Sequence, residues 1–534
     1  MERVIFGYGA SHGWLAAALS EYAWVMVAFT LSALFITSIL ARRTIFETLR
    51  LIRPNHAAGL IAILIMAGIL RFLWLEPIEQ IYYDCYEHIA ISKYFGSNGI
   101  FKVCLAGNGV HCDLGLFPHW PPLYHAILAP FTMKASNPEN MAYMVTAAEG
   151  VFACAMVFFA CLYLFNSPSV GLGACLFWAF HPLALRFSAS VDTDTLAAAF
   201  FASALAAGGV FNIRRDLPTL AFAIAACGAA GLVRPETMLA GLVAIPGFIH
   251  MIKGAKDWVA RFKLLALCGA FVLAICWPAL IFAFRTGQQY GRFISEQHST
   301  YLARNLSFFL FDNGWHPAIV TIAAVIALAF WPKERRSIAW SMTAAAAIIV
   351  LYYALKHRVD TRYGDQIRFN MIPSLTLVVL AAHGLLQWAN RFVRTSWFNA
   401  VVLLAFAGVC LLPAWNKIQK PIHPEGQIVQ QVLDEVRKLP ESAVIFSPVA
   451  AAVWAKGNFY ALTPDAENVD PVLYEKIVAS AKSLYFVSDV WCLHQGVPAC
   501  RKINQRYDKI ESVVEKPFTS GESIGLYKLK PKVF

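Results

Sequence analysis

Apolar runs long enough to cross a bilayer recur from residue 21 to residue 415, and nothing else in this chain limits its fold so tightly. Each run holds roughly 18–22 residues, enough for a helix to span a hydrocarbon core of about 30 Å. They fall at 21–41, 57–75, 142–165, 170–187, 193–213, 217–233, 235–252, 263–284, 316–332, 337–355, 369–388 and 397–415. Hydropathy therefore predicts a bundle of about twelve transmembrane helices. Composition agrees, with 58% hydrophobic and only 14% charged residues and a mean hydropathy of +0.55. A soluble chain of this length would carry far more charge. The expected class is an α-helical polytopic membrane protein.

Basic residues in the short loops orient the bundle. Arg42, Arg43, Arg50 and Arg53 follow the first run, Arg214 and Arg215 the fifth, and Lys253, Lys256, Arg261 and Lys263 the seventh. Lys333, Arg335 and Arg336 follow the ninth, and Arg391 and Arg394 the eleventh. These loops alternate, so they share one face, expected to be cytoplasmic. Both termini, an outer loop at 76–141 and the turn around Asp192 then lie outside, in a plasma (inner) membrane. Two outer segments break the bias, one with Arg285, Arg292 and Arg304, the other with Lys356, Arg358, Arg362 and Arg368. Cations kept there suit an anionic lipid headgroup. The first twenty residues lack a cleavable-leader pattern and are expected to form an interfacial helix, with Trp14 at headgroup level.

Three regions follow: an extra N-terminal helix and cytoplasmic loop at 1–56, a membrane module at 57–415, and a soluble extracytoplasmic α/β domain at 416–534. In the last, helices are predicted at 427–438 and 472–481 and strands at 443–447, 483–487 and 524–529. It has no Gly-rich phosphate loop. Seven of the twelve cysteines sit in apolar runs, as small packing residues. Cys104 with Cys112, and Cys492 with Cys500, form two local pairs that suit disulfides in an oxidising compartment or free thiols. The formal charge of +11 suits an anionic membrane surface, and nothing resembles a nucleic-acid module.

The acidic residues carry the chemistry. Asp84 follows a spanning run, where a carboxylate needs a partner or a task. Asp84, Glu87 and His88 stand at i, i+3 and i+4, on one helical face able to bind a divalent cation or move a proton. Plain helix capping by Asp84, with Glu87 and Lys93 in water, is the competing explanation. Asp192 and Asp194 open the fifth run, where capping needs only one acid; a second exceeds that need and makes Asp192 the expected partner of Asp84. His119, in Phe117-Pro-His-Trp-Pro-Pro-Leu-Tyr124, is a candidate to touch a phosphate, the competing explanation being a lone interfacial histidine in water. Arg292, Arg362 and above all Arg368 supply guanidinium for phosphate, or snorkel to headgroups. Arg234 is expected to pair with Glu236.

In order and sidedness these motifs resemble the GT-C superfamily of membrane glycosyltransferases, nearest its dolichyl-phosphate-mannose-protein mannosyltransferase-like and aminoarabinose-transferase-like branches. The pieces are Asp84…His88-Ile-Ala with Gly96 and Gly99-Ile-Phe101, then Trp120-Pro-Pro-Leu-Tyr124, Asp192-Thr-Asp-Thr-Leu, Leu232-Val-Arg-Pro-Glu236 and Arg368-Phe with Pro373. The resemblance covers residues 57–390. It implies a GT-C-like bundle that moves a sugar from a polyprenyl-phosphate donor to an acceptor glycan, lipid or protein at the outer face. Asp84 would be the general base or electrostatic anchor that activates the acceptor hydroxyl, Asp192 or Asp194 its support, directly or through a divalent cation held by Asp84 and Asp192. The outer arginines would hold the donor phosphate. Two departures stand out: Cys85 follows Asp84 where many relatives have Glu, and Trp120 stands where relatives often place Lys. A transporter or lipid flippase is the alternative, but it would keep its charges near the bilayer midplane and its loops short. A phosphotransferase would need an outer nucleophile and metal cluster, and none is evident.

Overall fold

The computed structural model describes residues 14–75, 84–108, 111–118, 120–291, 302–311, 315–329, 331, 333–356, 364–392, 396–418, 425–440, 442–448, 450–457, 459–463, 466–489, 492, 498–517 and 523–532. Among them eight helices are long and apolar enough to cross a membrane: Ala23–Leu49, Pro54–Trp74, Pro138–Phe165, Thr193–Arg214, Pro235–Lys253, Trp258–Phe284, Arg336–Leu355 and Ile367–Asn390. Shorter apolar helices, Pro168–Ala179, Leu217–Gly231, Ala318–Ala329 and Val401–Leu411, lie where the hydropathy pattern places the remaining runs. The chain is a multi-pass membrane protein.

The spans divide by packing. Most residues of Thr193–Arg214 and of Ile367–Asn390 are buried inside the bundle, whereas few of Trp258–Phe284 are, and that helix presents apolar side chains outward. Such a chain needs no polar face, because lipid replaces water as its solvent. Small residues allow the closest approach. A Cβ at Gly209 would stand 2.8 Å from the Tyr163 carbonyl carbon, so Thr193–Arg214 meets Pro138–Phe165 almost backbone to backbone.

The run at 170–187 departs from expectation. Helix Pro168–Ala179 stops, the chain turns through Phe180 and His181, and a short buried helix runs Pro182–Phe187. Pro182 has no N–H and disfavours helical geometry at His181, which forces the break. That break delivers the chain to Asp192, whose side-chain Oδ1 accepts from the Thr193 N–H at 2.6 Å and caps helix Thr193–Arg214.

A seven-stranded sheet covers one end of the bundle. Its strands are β1 Val103–Gly107, β2 Cys112–Leu116, β3 Ala443–Phe446, β4 Tyr460–Leu462, β5 Ser483–Ser488, β6 Tyr507–Pro517 and β7 Ser523–Pro531, in the order β2-β1-β4-β3-β5-β7-β6. Strand β3 pairs in parallel with β4 and β5, and the other pairings are antiparallel. Two of its strands thus come from the first long loop and five from the C-terminal segment. The seam is β1 against β4, where Ala106 faces Leu462. Across it the Trp454 indole N–H donates to the Gly107 carbonyl at 3.0 Å, and the Thr463 N–H to the Leu105 carbonyl at 2.8 Å. Loop and C-terminal segment therefore occupy the same side of the bundle. Both cysteine pairs are closed, with Cα separations of 5.6 Å for Cys104–Cys112 and 5.5 Å for Cys492–Cys500.

Candidate active site

Between the bundle and the sheet lies helix Asp84–Asn98, and it is an interior element. Every residue from Asp84 to Phe95 is buried, including Glu87, His88, Ser92 and Lys93. The competing explanation, with Glu87 and Lys93 in water, is therefore overturned: both are buried. Trp24 stacks on Phe95 at 4.4 Å, so the first span braces this helix from its far end.

Arg368 rides on a 3-10 turn, Gly364–Asn370, that leads into the α-helix beginning at Met371, at the very start of the span Ile367–Asn390. The turn is pinned by the Asn370 side-chain N–H, which donates to the Phe309 carbonyl at 2.7 Å. From there a single guanidinium nitrogen, Nη1, donates to Asp84 Oδ2 at 2.7 Å and to Asp192 Oδ2 at 2.8 Å. The two acids expected to work together are thus joined through one cation, although their segments lie far apart in the chain. Asp192 does both things the sequence allows, since one oxygen caps the helix and the other takes Arg368.

A second arginine makes a parallel arrangement. Arg234 bonds to Asp194, to Glu236 Oε1 at 2.7 Å, and to the Tyr353 hydroxyl at 3.1 Å. The Tyr353 hydroxyl donates to the same Glu236 oxygen at 2.6 Å. The Phe369 ring serves both cations, 5.4 Å from the Arg368 guanidinium carbon and 5.7 Å from that of Arg234. Such contacts help hold guanidinium planes in place. The pairing of Arg234 with Glu236 stands, and Asp194 joins it rather than joining Arg368.

Behind the acids, His88 Nε2 is 3.9 Å from Asp192 Oδ1, and His88 Nδ1 is 3.0 Å from His125 Nε2. The Trp120 ring lies 4.8 Å from that of His88, which brings the Trp-Pro-Pro motif against the acidic one. Burial pushes the His88 imidazole below its ordinary value despite the opposing pull of Asp192 and Asp84, so the ring is neutral at pH 7. Burial first, then the neighbouring Asp84, raises the Glu87 carboxyl well above the carboxylate range. Burial opposes the charge of Asp192 too, but Arg368 first and Arg234 after it outweigh burial and hold that carboxyl below the usual range. Asp192 is ionised at neutral pH, while Glu87 holds its proton to a higher pH than an ordinary carboxyl.

Glu87 does not take Arg368. Its Oε2 is buried with no hydrogen-bond partner among the described residues. His119, Arg292 and Arg362 lie outside the described residues. A divalent cation shared by Asp84 and Asp192 would need the position that Arg368 Nη1 occupies, and among the described residues no group of three or more His, Cys, Asp or Glu is placed to hold a metal. The carboxylate pair as arranged fits a guanidinium. Sequence reasoning missed His125, one residue beyond the Trp120–Tyr124 motif, and Tyr353, the second of two adjacent tyrosines in an apolar helix with no signal of its own.

Comparison with known proteins bears on this arrangement. Residues 119–282 match the family profile of dolichyl-phosphate-mannose-protein mannosyltransferase. The crystal structure of ArnT from Cupriavidus metallidurans bound to undecaprenyl phosphate aligns with a TM-score of 0.54 at 12% identity, over 88% of this chain and 97% of that one. The archaeal oligosaccharyltransferase AglB from Archaeoglobus fulgidus, in complex with an inhibitory peptide and a dolichol-phosphate, aligns with a TM-score of 0.49 at 12% identity, over 88% of this chain and 74% of that one. No curated protein sequence matches the chain. The fold is that of the GT-C membrane glycosyltransferases.

Proposed function

We propose that the protein is a membrane glycosyltransferase that moves a sugar from a polyprenyl-phosphate carrier to an acceptor hydroxyl or amide at the extracytoplasmic face. The observation that carries this reading is the Asp84–Arg368–Asp192 bridge, two acids from distant segments held by one guanidinium nitrogen. Sugar transfer passes through a cation-like sugar carbon beside a departing phosphate, so it needs carboxylate and guanidinium side by side. Asp84 is the residue we assign to activate the acceptor. Asp192, held ionised by its partners, steadies the positive sugar carbon. Asp194, expected to share that task, supports it at one remove by fixing Arg234.

Arg368 is assigned to the donor phosphate, and the strength of its bonds sets a condition. Among the described residues the shell gathers four carboxylates against two guanidiniums, which favours a cationic transition state more than a phosphate leaving group. The donor must bring Arg368 partly away from the acids, or other cations must assist. Arg292 and Arg362 are the proposed helpers, with a divalent cation accompanying the donor as the second source. The sheet side, with its two closed cysteine pairs, supports an oxidising, extracytoplasmic location for the site. Glu87, His88 and His119 are assigned to the substrate's surroundings, and the acceptor, whether glycan, lipid or protein, reaches the site from the sheet side.

The test is transfer in liposomes from a panel of undecaprenyl-phosphate sugars, hexose and pentose, with wild type and Asp84→Asn. Wild type is expected to use at least one donor, and Asp84→Asn to lose about 10²–10⁴-fold in rate at normal yield. Full activity in the variant removes Asp84 from its role. Adding EDTA separates the cation sources: a loss restored by magnesium or manganese assigns the second one.

A further inference from the structure

Helix Asp84–Asn98 is held by more than its apolar packing. Two residues beyond Asp84, the Tyr86 hydroxyl donates to Gln430 Oε1 at 2.5 Å. The Gln430 side-chain N–H donates to Glu139 Oε1 at 3.3 Å, and Lys456 Nζ donates to Glu139 Oε2 at 2.8 Å. Lys456 Nζ also stands 3.2 Å from Asp434 Oδ1 and 5.8 Å from the centre of the Tyr86 ring. The Lys456 side chain is fully buried and that of Glu139 is 9% exposed. Tyr86 belongs to the Asp84 helix, Glu139 to the first turn of span Pro138–Phe165, and Gln430 and Lys456 to helices Glu425–Val436 and Ala450–Lys456 of the C-terminal segment.

Attachment of a domain does not require this. Burying a lysine is costly, and apolar side chains of similar volume would hold two surfaces together at least as well. What a buried polar network adds is direction, since it is satisfied in one relative placement only. Here that placement sets Tyr86. At the other end of the same stretch, β1 is stitched to β4, so the C-terminal domain grips the Asp84 helix before and after. Resting on the proposed function, we infer that Tyr86, Gln430, Glu139 and Lys456 are positioning residues through which the C-terminal domain sets Asp84 in register with Arg368. Among the described residues no hydrogen bond or ion pair joins any of the four directly to the Asp84–Arg368–Asp192 bridge, and misplacement of a reacting group by about 1 Å can cost as much as 10²-fold in rate.

The experiment uses the full chain in liposomes, with whichever polyprenyl-phosphate sugar the wild type transfers. Tyr86→Phe removes one hydroxyl and Gln430→Leu keeps the volume of its side chain. Each is expected to lower kcat by about 10- to 100-fold with donor KM within about twofold. The double variant is expected to be no worse than either single one, because both break one link. Lys456→Arg, which keeps the charge, is expected to retain most activity. Hydrogen–deuterium exchange is expected to rise across 84–98 in both single variants and to stay unchanged across 193–214, which separates displacement of one helix from general unfolding. Wild-type kcat in both variants, or a loss carried by donor KM, overturns the positioning role. Absence of transfer by the wild type strikes instead at the proposed function.

Discussion

The two arginines of the site are built alike and placed differently. Arg368 and Arg234 each join two carboxylates, and one Phe369 ring lies beside both. Arg234 and Glu236 are sequence neighbours, and Tyr353 closes the ring of bonds with a hydroxyl to each. Arg368 instead draws Asp84 and Asp192 from separate segments with one nitrogen. Its side chain is 21% exposed, against 14% for Arg234. A cluster closed by a hydroxyl and set more deeply in the interior is suited to hold a shape. A guanidinium that holds two acids by one nitrogen, and is more open to its surroundings, is suited to exchange partners when a phosphate arrives.

Breaking each cluster should therefore register in a different measurement. Next to the rate loss at Asp84, the largest effect is expected from Arg234→Met. It strands Asp194 and Glu236 in a buried place, at about 3–5 kcal/mol, and should appear as lower yield and thermal midpoint in detergent. A normal midpoint would put Arg234 outside the scaffold. Arg368→Lys keeps a charge but loses the planar fork, and donor KM should rise by about tenfold, or about 1.4 kcal/mol. An acceptor KM that moves instead would exchange the two substrates' places.

The smallest expected effect concerns pH and sharpens the contrast between neutral and charged neighbours. Burial depresses His88 below its unfolded value of about 6.5. The unfolded chain therefore binds the proton first as pH falls, and His88's contribution to stability, complete above about pH 6.5, is lost as pH drops through the folded value. Glu87 has the opposite sign: its raised folded value gives stability that is full below about pH 4.3 and declines as pH rises. Thermal midpoints should fall between about pH 6.5 and 5 in the wild type and fall less in His88→Gln. Equal slopes would move the titration to another group.

Much of the scaffold could be read along the chain. The hydropathy pattern located the spans, and alternation located β3, β5 and β7 within a residue or two. Helix capping marked Asp192, and Arg234 met Glu236 two residues on. Each of these signals is local, written within one turn of helix or a few residues of strand. Strands β1 and β2 are short and pair with each other as a hairpin closed by Cys104–Cys112, and nothing near them in the chain marks that β1 will also take β4. His125 and Tyr353 carry nothing in their neighbourhoods that separates them from ordinary packing residues.

What the amino-acid order settled alone is that this chain lives in a bilayer, roughly where its apolar runs lie, and which acids and bases stand near their ends. Hydrophobic length, proline and capping oxygens act within a few residues, so they survive in one dimension. That Asp84 meets Asp192 through Arg368, that Asp194 belongs to Arg234, and that the C-terminal strands extend a sheet begun some 340 residues earlier were settled only by packing. Charges in a water-poor interior must find partners wherever the fold brings them, and the separation of those partners along the chain leaves no local trace.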